Sequence, residues 1–145
     1  MTKKVMAQKV TQKKRIWIAA GIILNPAQDR IFITRRHANA HQGGLWEFAG
    51  GKVETNETAE KAVIRELNEE VGIQVTALTP LISLAHDYPD RALQFDFFAI
   101  TAFTGEACGN EGQAGLWVTI NELEQYPFPE ANAAVLAKII EVYGK

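Results

Sequence analysis

Apolar positions along the chain change period between strand and helix, and the changes mark its elements. Residues 16–24 form a nine-residue run of β-formers and alanine, which predicts a buried strand. Asn25-Pro26-Ala27-Gln28-Asp29 reads as a turn, and residues 31–34 as a second strand of a hairpin. A polar loop at 37–44 leads to short extended pieces at 45–48 and 52–53, with Gly50 and Gly51 in a loop between them. From about 58 to 71 the spacing becomes helical: Val63, Ile64, Leu67 and Val71 share one face. Thr55 or Asn56 is the expected N-cap, and Gly72 the left-handed C-cap. Residues 73–85 look extended but broken at Pro80, and residues 92–104 form a long β-prone segment. A glycine-rich loop at 105–115, a strand at 116–118, a helical turn at 121–125 and a last helix at 130–143 complete the chain. Trp46 and Trp117 read as core side chains. The order of strands, helix, strands, helix predicts an α/β (α+β) domain, a mixed sheet with helices on its faces.

Composition narrows this picture. A chain of 145 residues with 47% hydrophobic and 22% charged residues suits one soluble domain. Its longest apolar run is nine residues, well short of the roughly 18 that suggest a membrane span. The basic N-terminus lacks an apolar h-region and a small-residue cleavage site, so no secretory signal is expected. Cys108 is the single cysteine, which leaves no intrachain disulfide and no cysteine-built zinc site. The expected location is cytoplasmic.

The net charge of -2 hides an asymmetry. Six basic residues and no acid lie within residues 1–15, so the rest of the chain carries nine basic side chains against all 17 acids. Residues 1–14 read as a basic arm, and residues 15–145 as a single acidic domain. Seven of its acids, Glu47, Glu54, Glu57, Glu60, Glu66, Glu69 and Glu70, fall within 24 residues. Such crowding raises self-repulsion and calls for a counter-cation.

On the helix, Glu66, Glu69 and Glu70 share a patch roughly 100° wide at the border of the apolar face. Glu66 and Glu70 repel each other at i, i+4, and one Arg65 does not neutralise three carboxylates. Hard oxygen ligands at this density suit Mg²⁺, Mn²⁺ or Ca²⁺. By themselves, the residues also fit an acidic solvated face, with Glu57 favouring the helix dipole and Gly50-Gly51 making a hairpin turn.

The combination is more specific. Gly51, Glu57, Arg65, Glu66, Leu67, Glu69, Glu70, Gly72 and Ile73 match the Nudix box, G-x5-E-x7-R-E-U-x-E-E-x-G-U with U aliphatic, at all nine specified positions in 23 residues. Ile31-Phe32-Ile33-Thr34-Arg35-Arg36, the 45–53 segment, Tyr88-Pro89-Asp90-Arg91, Asn110-Glu111-Gly112-Gln113 and Phe128-Pro129-Glu130-Ala131-Asn132 also resemble the MutT-like 8-oxo-dGTP diphosphatases of that superfamily. The resemblance spans about residues 15–143 and leaves the arm unmatched.

It implies a Nudix fold, a mixed sheet between helices, and a hydrolase. In the MutT-like branch, water attacks the β-phosphorus of a nucleoside triphosphate, releasing monophosphate and pyrophosphate. It implies Mg²⁺, with Mn²⁺ as substitute, on the Gly50 carbonyl and on Glu57, Glu66, Glu69, Glu70 and Glu111. Arg65 is expected to orient the glutamates. The base falls among Glu66, Glu70 and Glu111. Arg36 is expected at the phosphates and His41 as a nearby substrate contact, with Glu47, Phe48, Ala49 and Gly50 along the nucleoside pocket. Arg91 is expected at the closing loop and Asn132 on the oxidised purine, whose edge an amide can read with both donor and acceptor. The branch has proline where this chain has Ala49, and residues 45–54 instead resemble the CTP pyrophosphohydrolase group. CTP or a modified dCTP is therefore the alternative substrate, and a non-catalytic nucleotide sensor the alternative class. No membrane, stable nucleic-acid or protein partner is expected.

Overall fold

The computed structural model describes residues 14–38 and 43–144, so the basic segment 1–13 and His41 lie outside the described residues. Seven strands form one mixed sheet: β1 (Lys14–Leu24), β2 (Arg30–Arg35), β3 (Trp46–Glu47), β4 (Gly50–Lys52), β5 (Gln74–Tyr88), β6 (Arg91–Thr104) and β7 (Gly115–Thr119). Among the described residues, two α-helices pack on it, α1 (Ala59–Val71) and α2 (Ala133–Tyr143), with 3₁₀ turns at Ile120–Gln125 and Glu130–Asn132. No helix among the described residues is long and apolar enough to cross a membrane.

β1 is the axis of the sheet. One edge runs parallel to β6, from Lys14↔Arg91 to Ile23↔Ile100. The other edge is shared: β4 pairs with Ile18–Ala20, and β2 with Ile23 and Leu24. At the changeover Gly21 donates its N–H to the Ala49 carbonyl at 2.9 Å. β2 continues away from β1 and pairs at Thr34 and Arg35 with β3. Residues 46–52 therefore wedge between the two diverging strands.

Alternation along β1 splits the core in two. Ala19 and Ile23 join Phe32, Phe98 and Ile100 on the face that receives Ala62, Val63, Leu67 and Val71 of α1. Ala20, Ile22 and Leu24 join Ile31, Ile33, Phe97 and Ala99 on the face that receives Val135 and Ile139 of α2. Burying each of Val63, Leu67 and Val71 stabilises by about 1.5–3 kcal/mol. Repulsion between glutamates on the same helix costs only a few tenths of a kcal/mol. Packing therefore decides where α1 sits, and its carboxylates go where that packing puts them.

Several local features differ from the sequence-based expectations. Gly50 and Gly51 lie in a strand rather than in a loop, because β1 supplies them with ladder partners. Thr58, not Thr55 or Asn56, caps α1: its backbone is extended and its Oγ1 accepts from Lys61 N at 3.1 Å. Pro80 does not break β5. That strand is at the edge of the sheet, where a residue lacking an N–H is tolerated, and the register shifts beside it instead. The last α-helix begins at Ala133, three residues later than expected, after the 3₁₀ turn. Trp46 packs on Tyr126, and Trp117 on Phe32 and Phe103, both as core-facing side chains.

Gly72 ends α1 with φ 76°, ψ 22°, the left-handed region in which a Cβ is strained. A Cβ added there would meet nothing closer than Cys108 Sγ at 3.8 Å, so the cost is conformational rather than steric. Gly72→Ala is expected to lower the free energy of unfolding by about 1–2 kcal/mol, read from urea midpoints. An unchanged midpoint contradicts this account of the cap.

Candidate active site

The Arg65 guanidinium gathers the acidic residues at the start of the site. Its Nε and Nη2 meet the two Glu57 oxygens at 2.8 and 3.0 Å, and Nη2 also donates to the Lys52 carbonyl at 3.1 Å. Nη1 reaches Glu66 Oε1 at 2.9 Å and, weakly, Glu69 Oε1 at 3.5 Å. One planar fork thus ties together β4, the loop before α1 and two successive turns of α1. Glu57 also accepts from the Glu54 N–H at 3.0 Å. The bonds from Arg65 and Glu54 hold its carboxyl down at about 2, and those to Glu57 and Glu66 hold the Arg65 guanidinium above its usual range. Glu57 was expected to support the cluster or a second metal, and here both of its oxygens accept from Arg65.

Glu66 lies flat against β4. A Cβ on Gly51 would fall 2.4 Å from the Glu66 carboxyl carbon and within 2.7 Å of both its oxygens, so a side chain at 51 would fill the space the carboxylate occupies. Glu70, one turn on, is half-buried. Burial, the hydrogen bond its protonated form makes to Glu66, and the charges of Glu66, Glu47 and Glu111 push its carboxyl up to about 9. The donor set is hard oxygen at high negative charge, which suits a hard divalent cation. Among the described residues, no three His, Cys, Asp or Glu side chains stand in a ready coordination shell. The carboxylates are instead drawn toward Arg65, and Glu69 stays about half exposed (48%).

On the other side of β4 a cleft of about 360 Å³ opens over the sheet. Gly50, Gly51 and Lys52 form one wall, so the same three residues border the cleft and support the carboxylates. Ile16, Ile18, Leu93 and Phe95 line the cleft from alternate positions of β1 and β6, and Phe48 reaches it from the wedge. Arg36 and Glu47, paired at 2.7 Å, stand at one part of its rim. Burial raises the Glu47 carboxyl, against the pull of Arg36. Arg91 and Asn132 also line the cleft. Arg91 stacks over the Tyr88 ring at 5.5 Å, and its Nε is buried with no hydrogen-bond partner among the described residues. Asn132 precedes α2 but makes no capping bond with its side chain.

Ala49 is a correction. It was expected along the pocket with Glu47 and Phe48, but the extended backbone turns successive side chains to opposite faces. Phe48 faces the cleft, and Ala49 is 2% exposed in the core beneath α1. The apolar walls from β1, β5 and β6 were not singled out in the sequence; their signal was the alternation of Leu93, Phe95 and Phe97. Glu111 is on an exposed loop, held near the end of α1 by Asn110 and Gln113.

Comparison with known proteins identifies the family. The NUDIX domain family matches residues 19–138. The chain is 44% identical over 126 residues to the 8-oxo-dGTP diphosphatase of Escherichia coli K12, covering 87% of this chain and 97% of that protein. It is 36% identical over 123 residues to the CTP pyrophosphohydrolase of the same organism, covering 85% and 90% respectively. A solved structure from a study of MutT of Aliivibrio salmonicida and Vibrio cholerae superposes with a TM-score of 0.81 at 49% identity, covering 88% of this chain and 98% of that one.

The shift at Glu70 has a defined consequence for stability. Its folded value of about 9 lies above the ordinary 4.5, so its contribution is complete below pH 4.5 and is lost as pH rises toward 9. In a chelator, the thermal midpoint should fall across pH 5–9, and Glu70→Gln should flatten that fall. Equal slopes for the two proteins refute the assignment.

Proposed function

Because the chain belongs to the NUDIX domain family, we propose that it hydrolyses 8-oxo-dGTP to 8-oxo-dGMP and pyrophosphate in the cytoplasmic nucleotide pool. The observation that carries this reading is Asn132. It ends the 3₁₀ turn ahead of α2 with helical backbone (φ -87°, ψ -1°), so its side chain is not used as a cap, and it lines the cleft. Its amide offers both a donor and an acceptor to the edge of an oxidised purine. Arg91, with an unpartnered buried Nε, offers a second donor on the same cleft.

The roles divide along the cleft. Phe48, Leu93 and Phe95 give apolar walls to the base. Arg36 meets the phosphates, and His41, outside the described residues, is a further substrate contact. The Gly50 carbonyl with Glu66, Glu69, Glu70 and Glu111 would hold Mg²⁺, for which Mn²⁺ could substitute. When bound, such an ion offsets the triphosphate's charge and polarises the attacking water. Arg65, itself held by Glu57, orients Glu66 and, more weakly, Glu69. Glu66, Glu70 or Glu111 takes the proton from the attacking water; burial and the charges of Glu66, Glu47 and Glu111 raise the Glu70 carboxyl.

A second reading, hydrolysis of CTP or a modified dCTP, is favoured by the 36% identity to a CTP pyrophosphohydrolase and by the 45–54 segment. Ala49 in that segment does not touch the cleft, so any influence it has on substrate choice passes through the placement of Phe48 and Gly50.

Kinetics with 8-oxo-dGTP, dGTP, dCTP and CTP separate the two. The expected result is the highest kcat/KM for 8-oxo-dGTP. Asn132→Ala should reduce its preference over dGTP by about 10-fold or more, as expected when a polar reader of the base is removed. A clear preference for a pyrimidine nucleotide overturns the purine reading.

A further inference from the structure

An α-helix leaves its last four carbonyls without partners inside the helix. In α1 all four are met, three of them from one distant loop. Gly72 N donates to Asn68 O at 3.2 Å. Asn110 Nδ2 donates to Glu69 O at 3.0 Å, and Asn110 N to Glu70 O at 2.8 Å. Gln113 Nε2 adds a longer bond to Glu70 O at 3.4 Å, and Cys108 N meets Val71 O at 3.0 Å. The helix dipole would favour Lys, Arg or His at this end, yet the last turn has no basic residue. A cation there would neutralise Glu69 and Glu70, which stand on the same turn. Neutral amides satisfy the carbonyls and leave the negative charge intact.

The clamp also carries Glu111. Gln113 Oε1 accepts the Glu111 N–H at 2.9 Å while its Nε2 reaches Glu70 O, so one amide side chain joins the two glutamates through their backbones. We propose that Asn110 and Gln113 are positioning residues that fix Glu111 relative to Glu70 and act on turnover only through Glu111. This rests on the reading of the site as a hydrolytic centre that uses Glu111.

The test is a mutant cycle on the full chain with Mg²⁺ and 8-oxo-dGTP. Asn110→Ala, Gln113→Ala and the double variant are compared in the wild-type and Glu111→Gln backgrounds, with amide hydrogen exchange over residues 106–114. In the wild-type background, kcat should fall about 10- to 100-fold with KM nearly unchanged, as misplacing a reacting group does. Exchange over the loop should rise. In the Glu111→Gln background the same substitutions should cost no further turnover, since the group they position is already gone. Equal losses in both backgrounds overturn the proposal, as does a loosened loop with full turnover or a loop whose exchange does not change. If Glu111→Gln alone keeps wild-type turnover, the use of Glu111 fails and the proposal with it. A failure of the proposed function shows separately, as wild-type protein that does not hydrolyse 8-oxo-dGTP. The Asn110→Ala single variant, at an exposed position, serves as the probe if the double variant does not fold.

Discussion

Like charges forced together at the edge of a buried helix face organise the site. Val63, Leu67 and Val71 must be buried for α1 to pack, and that rotation fixes Glu66, Glu69 and Glu70 along the border with β4. The repulsion is small beside the apolar burial, so the fold tolerates it. Arg65 relieves part of it, but its donors also serve Glu57 and the Lys52 carbonyl. Glu70 keeps the remainder, as a carboxyl that resists ionisation near neutral pH.

The surrounding elements serve this arrangement. β4 is three residues long, yet it borders the cleft and leaves room at Gly51 for the Glu66 carboxylate. It holds that position because β1 pairs with it on the edge that β2 has left. At the far end of α1, a loop some 40 residues along the chain closes the helix with neutral amides. Long-range backbone pairing thus fixes both ends of the acidic helix, and the cleft lies against the end that β4 supports.

The sequence made the helix and its chemistry legible because the signal there is local. Val63, Leu67 and Val71 set the rotation, and the spacing of Arg65, Glu66, Glu69 and Glu70 follows from it. What it did not reveal depends on contacts between distant segments. Gly50 and Gly51 look like a turn until β1 supplies ladder partners. Pro80 looks like a breaker until β5 proves to be an edge strand. Ala49 looked like a pocket residue beside Glu47 and Phe48, and only its strand phase sends it to the other face. The apolar walls of the cleft come from β1, β5 and β6, which meet through the parallel β1–β6 and the antiparallel β5–β6 pairings.

Burial and the neighbouring carboxylates raise the Glu70 carboxyl, so a cation bound beside it should displace a proton. Calorimetric titration of Mg²⁺ into the nucleotide-free protein at pH 8, repeated in buffers of different ionisation enthalpy, measures protons released on binding. The account predicts release of about one proton per protein, reduced toward zero in Glu70→Gln. Binding of Mg²⁺ with no proton release in the wild-type protein would contradict it.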